Sequence, residues 1–210
     1  MIKYITQKNI HNFSNSMTEY FHHRKLIFSD KLKWTTKNLG SEKEEKDNYD
    51  TDQAEYLLYV HPKYGACGGV RFIPTTGNYM LPDVFSYLIE KHTLIPKTEK
   101  IWESSRFFAN IPPNSDNTMM NPSIILFLAM IKFGLEKNID SIITVMSTSI
   151  ERLSRKAGWP VHRLSEPKKC PENQEITSVA GILEVSMDCY NTIFEKANSG
   201  KQSCVDNFLS

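Results

Sequence analysis

The stretch from Asn121 to Ser147, NPSIILFLAMIKFGLEKNIDSIITVMS, constrains the fold more than any other part of the chain. Asn121 followed by Pro122 is a helix start: a capping side chain, then a proline whose missing N–H costs nothing in the first turn. From there to about Lys137 apolar residues lie nearly all round the helix, so it must be covered on most sides. DSIITVMS follows as a continuous β-branched run, the pattern of a central strand. A buried helix feeding a central strand calls for layers.

The flanking segments agree. EYLLYV and GGVRFIP are short strand signals joined by a turn containing Pro62 and Gly65, hence a hairpin. A helix is expected around DVFSYLIEK and a strand at IWESSRFFA. A short helix is expected over STSIERLSRKAG, ending at Gly158, with further strands at VHRLSE and GILEVSM. The β-β-α-β-α-β order of the middle predicts an α/β sandwich with a mixed sheet. The first third reads as helical with interruptions. Ser16 or Thr18 is placed to cap a helix through MTEYFHHRKLIF, on which Tyr20, Arg24 and Phe28 stack four apart. A polar loop spans Thr35 to Thr51, long for a compact domain and therefore either functional or disordered. With no internal repeat and no linker, residues 1–198 are expected to form a single domain and 199–210 a flexible tail.

Composition excludes several functions. The chain has 210 residues, 25 basic and 24 acidic, for a net charge of +1, so no bulk charge draws it to nucleic acid or membrane. Its longest apolar segment, SIILFLAMIKFGL, is interrupted by Lys132 and falls short of the ~18 residues of a spanning helix. The start lacks a secretory apolar segment, and Cys67, Cys170, Cys189 and Cys204 are far apart with no zinc-ligand spacing. Free thiols and a cytoplasmic location are the expectation.

Chemistry concentrates in a few places. Glu45, Asp47 and Asp50 fall at E-x-D-x-x-D in the polar loop, either a solvated stretch or a group of carboxylates for a cation. Arg24 and Arg71 are single basic residues on apolar segments, and Glu103 and Arg106 sit within an apolar strand; each must be paired where it lies. In a regular strand Ile101, Glu103, Ser105 and Phe107 face one way, and Trp102, Ser104, Arg106 and Phe108 the other. Only a bulge brings Glu103 and Arg106 to one cleft. Ser104 and Ser105 lack a G-x-S-x-G elbow, Gly68-Gly69 is not a nucleotide loop, and His22-His23 reads as a surface pair, so no metal site is expected.

Taken in order, HRKLIFSDKLKW, EEKDNYDTDQAEYLL, GGVRFIPTTGNYML, IWESSRFF and ITVMSTSIERLSRKAGWPVHRL resemble the acyl-homoserine-lactone synthases, the autoinducer synthases of bacterial quorum sensing. The resemblance covers Arg24 to about Leu164 and implies a three-layer α/β sandwich with a mixed twisted sheet, similar to GCN5-related N-acetyltransferases. It also implies a reaction. An acyl chain delivered on acyl carrier protein is joined to the amine of S-adenosylmethionine, which is a substrate, with no cofactor. The homoserine part then closes to a lactone and methylthioadenosine leaves.

On this resemblance Arg24, Phe28, Trp34, Glu45, Asp47, Asp50 and Arg71 bind S-adenosylmethionine, and Phe28 and Trp34 cover the adenine or close the pocket. Glu103 is the general base, with Arg106 and Ser105 beside it. Phe127, Met130, Thr144, Met146 and Leu183 line the acyl pocket, where the Thr144 hydroxyl is placed for a 3-oxo group. Arg152, Arg155 and Lys156 face the acidic carrier protein. One departure stands out. The acetyltransferases' coenzyme loop reads R-x-x-G-x-G/A, whereas Arg155-Lys-Ala-Gly158-Trp-Pro160 ends in proline, which speaks against a usual coenzyme A cradle. Two other readings remain open, an acyl-CoA-dependent N-acyltransferase on another amine and a non-catalytic module that binds acyl carrier protein.

Overall fold

The computed structural model describes residues 1–33, 39–90, 93–113, 115, 120–171 and 173–199. Its strands are β1 (Ile2–Ile5), β2 (Glu55–His61), β3 (Gly65–Pro74), β4 (Ile101–Ala109), β5 (Ser141–Ser147), β6 (His162–Arg163), β7 (Lys168–Lys169) and β8 (Thr177–Glu184). They form an eight-stranded sheet in the order β1-β2-β3-β4-β5-β8-β6, with β7 also on β8. Every pairing is antiparallel except β4 with β5. The helices are α1 (Ser14–Arg24), which runs on as a π-helical stretch Lys25–Lys31, then α2 (Met80–Asp83), α3 (Pro122–Glu136), α4 (Thr148–Ala157) and α5 (Met187–Ser199).

The mixed sheet lies between helical layers, as the α/β pattern requires. On one face Leu57, Val70, Phe72, Ile142, Val179 and Leu183 pack against Phe127, Leu128, Ile131 and Phe133 of α3, with Trp159 from the loop after α4 and Ile193 from α5. On the other, Tyr56 and Leu58 meet Met17, Tyr20 and Phe21 of α1. Further along that face Ile73, Ile143 and Ala180 meet Tyr79, Met80, Leu81 and Leu88. As expected, α3 starts at the Asn121 cap, whose side-chain oxygen accepts the Ser123 N–H at 2.9 Å.

Two irregularities of β4 shape the middle of the sheet. Phe108 pairs with Gly69 and Ser105 with Arg71, so Arg106 and Phe107 together face the single residue Val70. This is a β-bulge, and Arg106 takes up the left-handed conformation within it (φ 56°). The bulge reverses the alternation expected beyond Ser105. Phe107 stacks on Phe127 of α3 at 5.4 Å, while Phe108 stacks on Tyr20 of α1 at 5.7 Å. In addition, β4 and β5 pair only from Ile101↔Ser141 to Ser104↔Thr144. Ahead of Ser104 a cavity of about 310 Å³ lies between them, lined by Ser105–Asn110 on one side and Val145–Ser147 on the other.

Other expectations are corrected. The helix around DVFSYLIEK shrinks to α2 and a 3-10 turn, Ser86–Leu88, because Phe85 and Leu88 turn inward to the core beside α2. The first helix begins at Ser14, after a 3-10 turn Ile10–Phe13, so neither Ser16 nor Thr18 caps it. The N-terminal region also contains the edge strand β1, paired with β2. At the other end α5 runs to Ser199.

Gly69 is where α1 meets the sheet. A β-carbon there would lie 2.7 Å from the Tyr20 ring and 2.7 Å from a Leu58 methyl. Gly69→Ala should therefore displace Tyr20 and cost about 1–3 kcal/mol, measured by urea denaturation. An unchanged midpoint would show that α1 does not rest on this contact.

Candidate active site

The carboxylates of the polar loop are neither solvated nor open. Arg24, the last residue of α1, donates through Nε to Glu45 Oε2 at 2.5 Å and through both Nη atoms to Asp50 at 2.7 and 2.8 Å. Arg71, on β3, pairs through Nη1 with Asp47 at 2.5 Å and Asp50 at 2.9 Å. Arg106, turned into the same space by the bulge, pairs through Nη2 with Glu45 at 2.8 Å and Asp47 at 2.7 Å. The three guanidiniums are 0% exposed and the three carboxylates at most 6%.

The loop keeps its shape through its own turns. Asp50 accepts the Asp47 N–H, Asp47 accepts the Tyr49 N–H, and the Tyr56 hydroxyl donates to Asp50 at 2.9 Å. Burial alone would raise these carboxyls. Arg71 and Arg24 nevertheless hold Asp50 well below its ordinary value, Arg71 and Arg106 lower Asp47, and Arg106 and Arg24 lower Glu45. The arginines thus neutralise the loop's charge, and the carboxylates are not a vacant group awaiting a cation.

Glu103 is held differently. It is 1% exposed, and its two oxygens accept the Met80 N–H at 2.8 Å and the Leu81 N–H at 2.7 Å. These are first-turn amides of α2, which has no side-chain cap, so Glu103 satisfies donors that the helix itself leaves unpaired. Burial pushes its carboxyl up to about 7, against the opposing pull of the two amides and of Arg71 and Arg106. A carboxyl with that value exchanges a proton near neutral pH, as a general base must.

Glu103, Ser105 and Arg106 all line the 310 Å³ cavity. So do Phe127, Met130, Thr144, Met146 and Leu183, the five residues named for an acyl pocket, and Phe28 from the π-helical stretch. Phe28 lies under the Arg106 guanidinium at 5.1 Å, a cation–π contact. The Ser105 hydroxyl accepts from Arg71 Nε at 3.1 Å, and the Thr144 hydroxyl donates to the Ser104 carbonyl at 3.3 Å. Arg24, Arg71, Glu45, Asp47 and Asp50 form a buried layer behind the cavity rather than its lining. Trp34 lies outside the described residues.

On α4, Arg152, Arg155 and Lys156 are all exposed, and Arg155 also donates to Glu151 and to the Val161 carbonyl. The R-x-x-G segment occupies the C-terminal end of α4. Gly158 is in the left-handed conformation (φ 101°) and its N–H donates to the Ser154 and Arg155 carbonyls. Carbonyls and the negative end of the helix dipole gather there, which is no cradle for a pyrophosphate. Among the described residues no group of three or more His, Cys, Asp or Glu side chains is placed to hold a metal ion. No described helix is long and apolar enough to cross a membrane. Sequence reasoning missed Met80 and Leu81, whose part is played by backbone amides and a thioether that carry no charge or pattern.

A family model described as autoinducer synthase matches residues 8–193. The chain belongs to the autoinducer synthase family. The acyl-homoserine-lactone synthase of Vibrio anguillarum is 33% identical over 147 residues, 69% of this chain and 74% of that protein. Among solved structures, the CoA-dependent acyl-homoserine lactone synthase BjaI, with SAM and isopentyl-CoA, superposes with a TM-score of 0.79 at 24% identity. That match covers 97% of this chain and 90% of BjaI. An N-acetyltransferase from Lactobacillus plantarum, described as putative, shares the fold at a TM-score of 0.53 and 13% identity, over 88% of this chain and 99% of that one. The chain is accordingly an acyltransferase, an acyl-homoserine-lactone synthase with the α/β fold that acetyltransferases share.

The network predicts a strong, pH-dependent contribution to stability. Removing one charge from a buried ion cluster strands its partner, so Asp50→Asn should cost about 3–5 kcal/mol at pH 7. Because these carboxyls are lowered in the folded chain, their contribution is present above the unfolded range near pH 4 and lost as pH falls below it. The gap between wild type and Asp50→Asn in urea denaturation should narrow at about pH 3. An equal gap at both pH values would mean that the carboxylates are not held by charge.

Proposed function

We propose that this synthase transfers an acyl group from acyl carrier protein to the amine of S-adenosylmethionine and closes the product to an acyl-homoserine lactone, a quorum-sensing signal. The observation that carries the reading is the placement of Glu103, with its raised carboxyl, on the wall of a cavity otherwise lined by Phe127, Met130, Thr144, Met146 and Leu183. The apolar part accommodates an acyl chain, and the carboxylate accepts the proton that the amine must lose.

In the first step the amine nitrogen attacks the thioester carbonyl carbon, its proton passes to Glu103, directly or through water, and the carrier thiol leaves. In the second, a carboxylate oxygen of the acylated amino acid attacks the carbon bound to the sulfonium. The C–S bond breaks, and lactone and methylthioadenosine both leave neutral. Glu45, Asp47 and Asp50 act through Arg106, which they fix at the cavity wall for the substrate's methionine end, while Arg24 and Arg71 hold these carboxylates from behind. Phe28 covers the adenine or closes the pocket.

For the donor, Arg152 and Lys156 on the open face of α4 favour an acidic carrier protein, with Arg155 contributing less because Glu151 holds it. The CoA dependence of BjaI favours a second reading, acyl-CoA as donor. Incubation with S-adenosylmethionine and either hexanoyl carrier protein or hexanoyl-CoA, followed by mass spectrometry, separates the two. The expected outcome is hexanoyl-homoserine lactone and methylthioadenosine with the carrier-linked donor. Product from hexanoyl-CoA alone would move the assignment to the second reading, and acyl transfer without lactone would overturn both.

Glu103→Gln should spare S-adenosylmethionine binding in calorimetry and lower turnover by about 10²–10⁴-fold. Arg152→Glu combined with Lys156→Glu should raise the KM for the carrier-linked donor and leave that for S-adenosylmethionine unchanged. An unchanged donor KM would show that this face is merely solvated.

A further inference from the structure

Met80 ties together three groups that the proposed reaction requires, Arg71, Arg106 and Glu103. It is 1% exposed and lines the cavity. Its thioether sulfur accepts from Arg71 Nη2 at 3.1 Å and from Arg106 Nη1 at 4.0 Å, so guanidiniums from two strands converge on it. Its own N–H, with that of Leu81, holds the Glu103 carboxylate. A leucine or phenylalanine would fill the same apolar space. Only an acceptor atom there offers the two guanidiniums a partner on α2, and methionine supplies one without adding a buried charge.

We propose that Met80 is a positioning residue for Glu103. Its sulfur anchors the first turn of α2 to Arg71 and Arg106, and so keeps the turn's two amides on the carboxylate. The proposal rests on the reading of Glu103 as the proton acceptor. The charged and titratable groups that act on Glu103 are Arg71 and Arg106 on the strands, Tyr49 in the loop and Tyr79 just before α2. A change at Met80 leaves the charge of each of these groups as it is. What changes is the grip of two donors that favour the ionised carboxylate, and loosening them raises its pKa.

The test follows the Glu103 carboxyl directly in ¹³C-glutamate-labelled full-length protein, with Glu103→Gln identifying the resonance. Met80→Leu keeps the volume and removes the acceptor, whereas Met80→Gln restores one on an unbranched chain of similar length. The expected result is a titration midpoint that moves up by about half a pH unit or more in Met80→Leu and stays near wild type in Met80→Gln. A midpoint unmoved in Met80→Leu, or moved equally in both variants, would overturn the proposal and leave Met80 as core packing. If Met80→Leu does not fold, Met80→Gln decides alone, since a raised midpoint despite the restored acceptor contradicts the anchor. A wild-type Glu103 that titrates near 4.5 would instead overturn the reading of Glu103 as base, so the two failures are distinguishable.

Discussion

The buried ion cluster is the interaction on which the rest of the molecule depends. Three guanidiniums from α1, β3 and β4 meet three carboxylates from one loop: Glu45 and Asp50 are each shared between two arginines, and Asp47 among all three. Isolated, each of these charges would be costly where it lies; together they are compensated and hydrogen-bonded. The cluster fastens a loop without regular secondary structure across the face of the sheet. Because its charges balance, its members stay ionised and are not available as bases. Glu103 stands a few residues along β4 from Arg106, held by amides instead of cations, and burial governs its titration. One site thus contains carboxyls displaced in opposite directions, which separates supporting groups from the group that moves a proton.

Backbone irregularity places these parts. Without the bulge, Arg106 would point toward α3 and away from the cluster, and the cluster would lack its third cation. The same departure from regular pairing leaves β4 and β5 apart beyond Ser104 and Thr144, and the cavity occupies the gap. Tyr20 supports the arrangement from α1. It lies on Gly69, stacks on Phe108, and its hydroxyl donates to the Arg106 carbonyl at 3.4 Å. Strain at Arg106 is therefore held in place by contacts on both sides of the strand, as is common where a strand serves an active site.

Elements with a strong period were legible in the sequence: the nearly all-apolar α3, the β-branched β5, and the four-apart series Tyr20, Arg24 and Phe28. The two-residue strands β6 and β7 and the four-residue β1 are too short to carry a period, although VHRLSE was read as a strand. The π-helical stretch after Arg24 has no compositional signature. For E-x-D-x-x-D, spacing alone favours a solvated loop and leaves a cation site as the alternative. Glu45 is 21 residues from Arg24 and 61 from Arg106, and only the fold brings those partners together. The five acyl-pocket residues come from the resemblance and line one cavity; Arg155, expected to face the carrier protein, is exposed and also paired with Glu151. Met80 could not be found by pattern, since its part depends on a sulfur and an amide.

The central claim is that a buried carboxyl at Glu103, left out of the charge-balanced cluster, serves as the base. The pH dependence of kcat/KM for S-adenosylmethionine in the wild-type enzyme and in Glu103→Gln tests it most directly. The account predicts an acid limb in the wild type with a midpoint near the value of about 7 that burial imposes, and its disappearance in Glu103→Gln together with most of the turnover. An acid limb that survives in Glu103→Gln, or turnover close to that of the wild type, would contradict it.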